Sequence, residues 1–225
     1  MRLIGRHSYH KNPRFCNWCM WLGDVYPGGA EIELSLLFAD VRGSTNLAET
    51  MSASEFSQLM SRFYDAATDV LIRTDAFIDK LVGDEVIGLY IPGYAGRDHA
   101  RKAVEAAQEL GWAMGYGTAA DPWLPIGIGV HTGVAYVGTV HGIEGAVTDF
   151  TALGENVNLA ARLASMAESG EALISCATYA AAGLDLGDLE QRELDVKGKA
   201  APVSVRVLEL QAGGSPGLAA MEGEA

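Results

Sequence analysis

The sequence predicts an α+β domain, an antiparallel sheet with helices on one face. Three observations point to it. A short apolar run fit for a buried strand is followed by seven apolar residues at helical spacing and then by two more short strands. A second helix with an alanine-rich face separates those strands from one in which apolar residues alternate with glycine. No segment repeats along the chain, which sets aside solenoids and propellers.

In order, residues 34–41 read as a strand that Asp40 closes, and Gly43 turns the chain into a polar loop. Ser52 and Glu55 fit a capping box at the start of a helix, with Phe56, Leu59, Met60, Phe63, Ala67, Val70 and Leu71 on its core face. Residues 77–81 and 86–91 form a hairpin around Gly83-Asp84, and residues 92–96 a loop. Asp98 is placed to cap a second helix, which buries Ala100, Ala103, Val104, Ala107 and Leu110. After a loop over 115–125, residues 126–130 and 134–140 read as two strands separated by His131-Thr132-Gly133; a lone histidine in such a place is more often structural than catalytic. Residues 141–149 read as an arm or loop, and 154–166 as a third helix offering Val157, Ala160, Ala161 and Leu163 to the core. Late strands follow over 173–175, 193–196 and 203–208. The first six elements spell βαββαβ, the ferredoxin-like plan.

Composition bounds the function. At 225 residues, with 49% apolar and 20% charged, the chain supports one substantial core. A net charge of −13 argues against nucleic acid or an anionic membrane as partner. No apolar run is long enough to span a bilayer and no signal peptide is recognisable, so the expected location is cytoplasmic. The charge is uneven: residues 1–22 carry four Lys/Arg and no Asp/Glu, and the remaining 12 basic and 29 acidic residues leave −17. Three domains of behaviour are expected: a basic segment over 1–30, the main domain over 31–210, and a disordered tail over 211–225, rich in Gly, Ala, Ser, Pro and Glu. In the first, His7, His10, Cys16 and Cys19 follow H-x2-H-x5-C-x2-C. Two readings stand side by side, a zinc knuckle holding structural Zn2+ and a packed arm anchored by Phe15, Trp18 and Trp21. Three cysteines make no disulfide framework, and Cys176 is expected to be a buried small apolar residue.

The chemistry concentrates in residues 34–90. Asp40 and Asp84 each sit in a short glycine-bearing signature, one at a strand end and one in a hairpin turn. If strand and hairpin are neighbours, the carboxylates meet at one end of the sheet. Like charges there need a cation between them, and hard oxygen ligands favour magnesium or manganese, which keep waters and a substrate phosphate as further ligands.

Five separated signatures carry a family resemblance. They are Phe38-Ala39-Asp40-Val41-Arg42-Gly43-Ser44-Thr45, Lys80-Leu81-Val82-Gly83-Asp84, Gly129-Val130-His131-Thr132-Gly133, Gly154-Glu155-Asn156-Val157-Asn158-Leu159-Ala160-Ala161-Arg162 and Val196-Lys197-Gly198-Lys199. In family order, they resemble the catalytic domain of the class III nucleotidyl cyclases, over about residues 31–210. The resemblance implies that Asp40, Asp84 and the Val41 carbonyl hold two divalent cations, Mg2+ or Mn2+. It implies that Arg162 faces the charge developing at the α-phosphorus, Asn158 orients the ribose, and Lys197, with Lys199 as a near alternative, holds the terminal phosphates. Lys80 and Thr151 correspond to the base-reading pair of a bacterial adenylate cyclase subclass, implying ATP as substrate. Guanylate cyclases usually carry glutamate in place of Lys80. Leu153 departs from a frequent tryptophan of the family. The general base is not assigned. In the family the site lies between two copies, Asp40 and Asp84 from one and Lys80, Thr151, Asn158, Arg162 and Lys197 from the other, implying a homodimer. A guanylate cyclase and a non-catalytic module of the same fold are the alternatives.

Overall fold

The computed structural model describes residues 28–118, 120–141 and 148–210. The basic segment with His7, His10, Cys16 and Cys19, and the tail from 211, lie outside the described residues, as does most of the expected arm over 141–149.

Strand β1 (Gly29–Val41) leads through a turn at Arg42-Gly43 into helix α1 (Ser44–Thr50) and the long helix α2 (Ala53–Arg73). Hairpin β2 (Phe77–Val82) and β3 (Glu85–Tyr90) follows, then the short helix α3 (Pro92–Ala95) and helix α4 (His99–Ala113). Strand β4 (Ile126–His141) pairs with β5 (Thr148–Leu153), and helix α5 (Glu155–Met166) leads to β6 (Glu171–Ser175) and α6 (Cys176–Ala182). Strands β7 (Glu190–Leu194) and β8 (Val203–Glu209) complete the chain.

The sheet runs β2-β3-β1-β4-β6-β8-β7, with β5 paired to β4. Its first four strands are the βαββαβ core, antiparallel throughout, as expected. Strand β6 joins β4 in parallel, so the full sheet is mixed. Strand β4 can serve two neighbours on one edge because it is long: residues 128–130 pair with β6 and 136–141 with β5. What reads in sequence as two strands separated by His131-Thr132-Gly133 is this one continuous strand.

Successive residues of β1 feed opposite faces. Leu37, Ala39 and Val41 pack with Phe63, Leu71, Val104 and Leu110 under α2 and α4. Leu34, Leu36 and Phe38 pack with Ala152, Ala160 and Ala164 under β5 and α5. Helices therefore cover both faces, not the one expected. The second face is crowded for a visible reason. A Cβ on Gly129 would stand 2.3 Å from the Ala164 nitrogen, so α5 lies directly on the backbone of β4.

Local chemistry fixes the start of α2: the Ser52 side chain accepts from the Glu55 amide, and Glu55 accepts from the Ser52 amide at 2.8 Å. Asp98 stands at the start of α4 but its side chain makes no capping bond, contrary to expectation. Helices α1 and α3 fall where the sequence predicts loops, and α6 where it predicts no element. Strand β7 begins three residues earlier than the expected 193–196. Cys176 opens α6 half-buried, its Sγ 3.3 Å from Ser204 Oγ, not in the core.

Candidate active site

Strand register brings Asp40 and Asp84 to the same end of the sheet. Asp40 pairs with Glu85 across β1 and β3, and the Val41 amide donates to the Asp84 carbonyl at 3.0 Å. Gly83, at φ +63, makes the β2–β3 turn that carries Asp84. Tyr64 of α2 pins that turn by donating to the Gly83 carbonyl at 2.5 Å. Gly43, at φ +70, starts α1 and aims Ser44 at Asp84 Oδ2, to which it donates a short hydrogen bond.

Arg42 stands among these acids. Its guanidinium is ion-paired with Asp40 Oδ2 and donates at 3.0 and 3.4 Å to the carbonyls of Ser165 and Ala167 at the C-terminal end of α5. Burial pulls the arginine below its ordinary value, while Asp84 and Glu85 oppose that shift. Burial pushes Glu85 up, and the Asp84 charge adds to it. Among the described residues no three His, Cys, Asp or Glu side chains are grouped to hold a metal ion. The donor set is two carboxylates in a crowd of negative charge, which fits a hard cation that completes its shell with water and phosphate oxygens.

A second cluster lies on the face covered by β5. Lys80 Nζ is 3.3 Å from Thr151 Oγ1 and 3.3 Å from Asp149 Oδ2. Thr151 Oγ1 donates to Asp79 Oδ2 at 3.1 Å. Asp79 and Lys80, adjacent in sequence, reach the same cluster because the β2–β3 register slips between Ile78 and Lys80. The Phe77 and Phe150 rings meet edge-on at 5.2 Å beside it. Lys80 and Thr151, paired from sequence, are brought together within one chain.

Helix α5 presents Asn158 and Arg162 away from its buried face of Leu159, Ala160, Leu163 and Ala164. The 197–199 loop lies against Arg162: a Cβ on Gly198, itself at φ +86, would be 3.2 Å from Arg162 Nη1. Lys199 is held by Glu155 at 2.7 Å, and Lys197 is exposed. His131 is structural in the sense expected. Its Nδ1 lies 2.8 Å from Ser175 Oγ and its Nε2 2.9 Å from Asn156 Oδ1. Asn156 in turn donates to the Val134 carbonyl at 2.8 Å, which orients its oxygen toward the ring.

The sequence reading missed Arg42, Ser44, Tyr64, Asp79 and Asp149 as partners of the site. Asp149 had a signal: it lies two residues before Thr151, and strand periodicity puts both on one face once 148–153 is read as strand. Asp79 had none, because regular alternation places it opposite Lys80 and only the bulge reverses that.

Residues 30–208 match the family described as the adenylate and guanylate cyclase catalytic domain. The chain is 29% identical over 136 residues to an adenylate cyclase of Anabaena cylindrica, an alignment of 58% of this chain and 26% of that protein. It is 29% identical over 139 residues to adenylate cyclase 1 of Rhizobium meliloti, covering 60% and 21%. The chain thus matches about a quarter or less of these relatives' length. Among solved structures, the guanylyl cyclase Cya2 is similar with a TM-score of 0.73 at 28% identity, over 80% of this chain and 93% of that one. The adenylyl cyclase CyaB from P. aeruginosa has a TM-score of 0.69 at 29% identity, over 81% and 96%. With the five signatures in place on the matching fold, the chain belongs to the adenylate and guanylate cyclase catalytic domain family.

Proposed function

We propose that this domain is an adenylate cyclase, converting ATP to 3′,5′-cyclic AMP and pyrophosphate at sites shared by two copies of the chain. The observation that carries the choice of base is the contact between Lys80 and Thr151. An ammonium donates to a ring nitrogen and a hydroxyl oxygen accepts from an exocyclic amine, which suits adenine.

Asp40, Asp84 and the Val41 carbonyl would hold two divalent cations, magnesium or manganese; when bound, these lower the pKa of the ribose 3′-hydroxyl and offset the triphosphate charge. The remaining work falls to side chains. Asn158 orients the ribose. Arg162, steadied by the 197–199 loop, faces the charge that builds on the α-phosphate oxygens. Exposed Lys197 binds the terminal phosphates. The 3′-oxygen bonds to the α-phosphorus, the bond to the bridging oxygen breaks, pyrophosphate leaves with that electron pair, and the hydroxyl proton passes to solvent.

Two features support assembly from two copies. Arg42 and Ser44 occupy the aspartate end within one chain, while Asn158 and Arg162 face outward from α5. Large apolar side chains are exposed beside both: Leu81 and Val82 next to Asp84, Val134 and Leu153 next to α5, Val82 at 55% and Val134 at 51%. Among the described residues no helix is long and apolar enough to cross a membrane.

The test is incubation of the purified protein with ATP and with GTP, each with Mg2+ or Mn2+, and identification of products by mass spectrometry. Cyclic AMP is the expected product. Faster conversion of GTP would replace the base assignment with the guanylate reading, which the likeness to Cya2 favours. No cyclic product from either would leave a nucleotide-binding module.

A further inference from the structure

We propose that Asp79 determines base selectivity without touching the base, by fixing which way the Thr151 hydroxyl points. The inference rests on the reading that Lys80 and Thr151 face the purine. Asp79 and Thr151 are both buried, 5% and 2% exposed, so their hydrogen bonds face little competition from water.

A hydroxyl has one proton and two lone pairs. The Thr151 proton goes to Asp79 Oδ2, and one lone pair receives Lys80 Nζ. A carboxylate only accepts, so it cannot return a proton and the orientation is locked. One lone pair remains, and toward a ligand Thr151 acts as an acceptor alone. Lys80 is restricted in the same manner. Of its three N–H groups, one points to Thr151 and one to Asp149 Oδ2, leaving one donor. The corner therefore offers a single donor from Lys80 and a single acceptor from Thr151, in fixed positions. A 6-aminopurine presents a ring acceptor at N1 and a donor on the exocyclic amine, which matches. A 6-oxopurine exchanges the two. Without Asp79, the hydroxyl can turn and serve either kind of partner. Asp79 is thus a positioning residue, placed by the bulge in β2.

The experiment compares kcat/KM for ATP and for inosine triphosphate, whose 6-oxopurine exchanges the donor and the acceptor, in the purified protein. The variants are Asp79→Ala, Asp79→Asn, Thr151→Val, Lys80→Ala, and Asp79→Asn with Thr151→Val. The wild type should prefer ATP by about tenfold, the scale of one buried hydrogen bond. Asp79→Ala should erase most of that preference and Asp79→Asn part of it. In the Thr151→Val background, Asp79→Asn should change the preference no further. A purely structural role would lower both rates together and keep the ratio. If Thr151→Val loses the preference while folded Asp79→Ala keeps it, the proposal is overturned and the base-reading assignment survives. If Asp79→Ala does not fold, an unchanged ratio in Asp79→Asn overturns it instead. If Thr151→Val and Lys80→Ala both keep the preference, the underlying reading of the base corner fails.

Discussion

The two polar corners of this domain are built on opposite principles. The corner around Lys80 and Thr151 is oriented within one chain: Asp79 and Asp149 fix the direction of its donors before any ligand arrives. The corner around Asp40 and Asp84 gathers negative charge, which, among the described residues, Arg42 and the Ser44 hydroxyl meet. Its two aspartates sit at one end of the sheet, with Glu85 pushed up by burial beside them. Recognition of a neutral base gains from groups already oriented, because nothing must reorganise on binding. Handling a triphosphate requires charge that arrives with the substrate, so that end remains unbalanced without it.

The largest expected effect breaks the unbalanced corner. Asp40→Ala or Asp84→Ala should lower cyclisation by about a thousandfold or more, the scale of losing a group that holds transition-state charge. The fold should persist, because removing Asp84 relieves its repulsion with Glu85, and without Asp40 the Arg42 charge is still opposed by Asp84 and Glu85. Product measured by mass spectrometry, with thermal unfolding as control, decides it; full turnover by a folded Asp84→Ala protein would sink the assignment.

A second experiment asks whether that corner is finished by another copy. Asp40→Ala and Arg162→Ala should each be inactive. Mixed, they form heterodimers in which one site carries both lesions and the other neither. With random exchange about half the dimers are mixed, each with one working site of two, so recovery should approach roughly a quarter of wild type. Two different tags establish the exchange. Mixed dimers that stay as inactive as the single variants would place Arg162 in its own chain's site.

The prebuilt corner should respond more gently. Lys80→Ala and Thr151→Val each remove one contact to the base, and each should cost about tenfold in preference for ATP over GTP while leaving turnover measurable. Loss of all turnover would mean that these residues support the fold and do not read the base.

The contrast also explains what was legible in the sequence. The aspartate corner was readable because its residues sit in local signatures whose geometry follows from adjacency: a strand end, a glycine turn, a hairpin. The βαββαβ core and the helical stripes were readable for the same reason, since periodicity is local. The base corner was half readable. Lys80 and Thr151 came from resemblance, but Asp79 depends on a bulge and Asp149 on extending a hairpin across a segment that reads as loop. The second helical face was not visible either. Glycines 127 and 129 mark close approach, yet nothing local says that the approaching element is α5, about thirty residues later in the chain. Continuous β4 was missed because His131-Thr132-Gly133 looks like a break. His131 is accommodated in mid-strand only because Ser175 and Asn156, from two other elements, satisfy both ring nitrogens.

The smallest expected effect concerns that histidine and its counterpart on the other face. Burial pulls His131 below its ordinary value near 6.5; the Asn156 bond opposes this and the Lys199 charge adds to it. Burial also lowers His99, which bonds Ser35 at 2.9 Å, with Glu33 opposing. Both are therefore neutral in the fold over a range where the unfolded chain is already protonated. In that window the unfolded state binds more protons, so stability increases with pH. Above about pH 6.5 neither group carries a penalty, and below it the fold weakens until the folded-state values are reached. Thermal unfolding between about pH 7.5 and 5.5 should show the midpoint falling with acid by a few degrees. His131→Gln, which keeps one donor and one acceptor but does not titrate there, should flatten the slope by its share, and His99→Gln by the rest. A slope unchanged in both variants would mean that neither buried histidine titrates on unfolding.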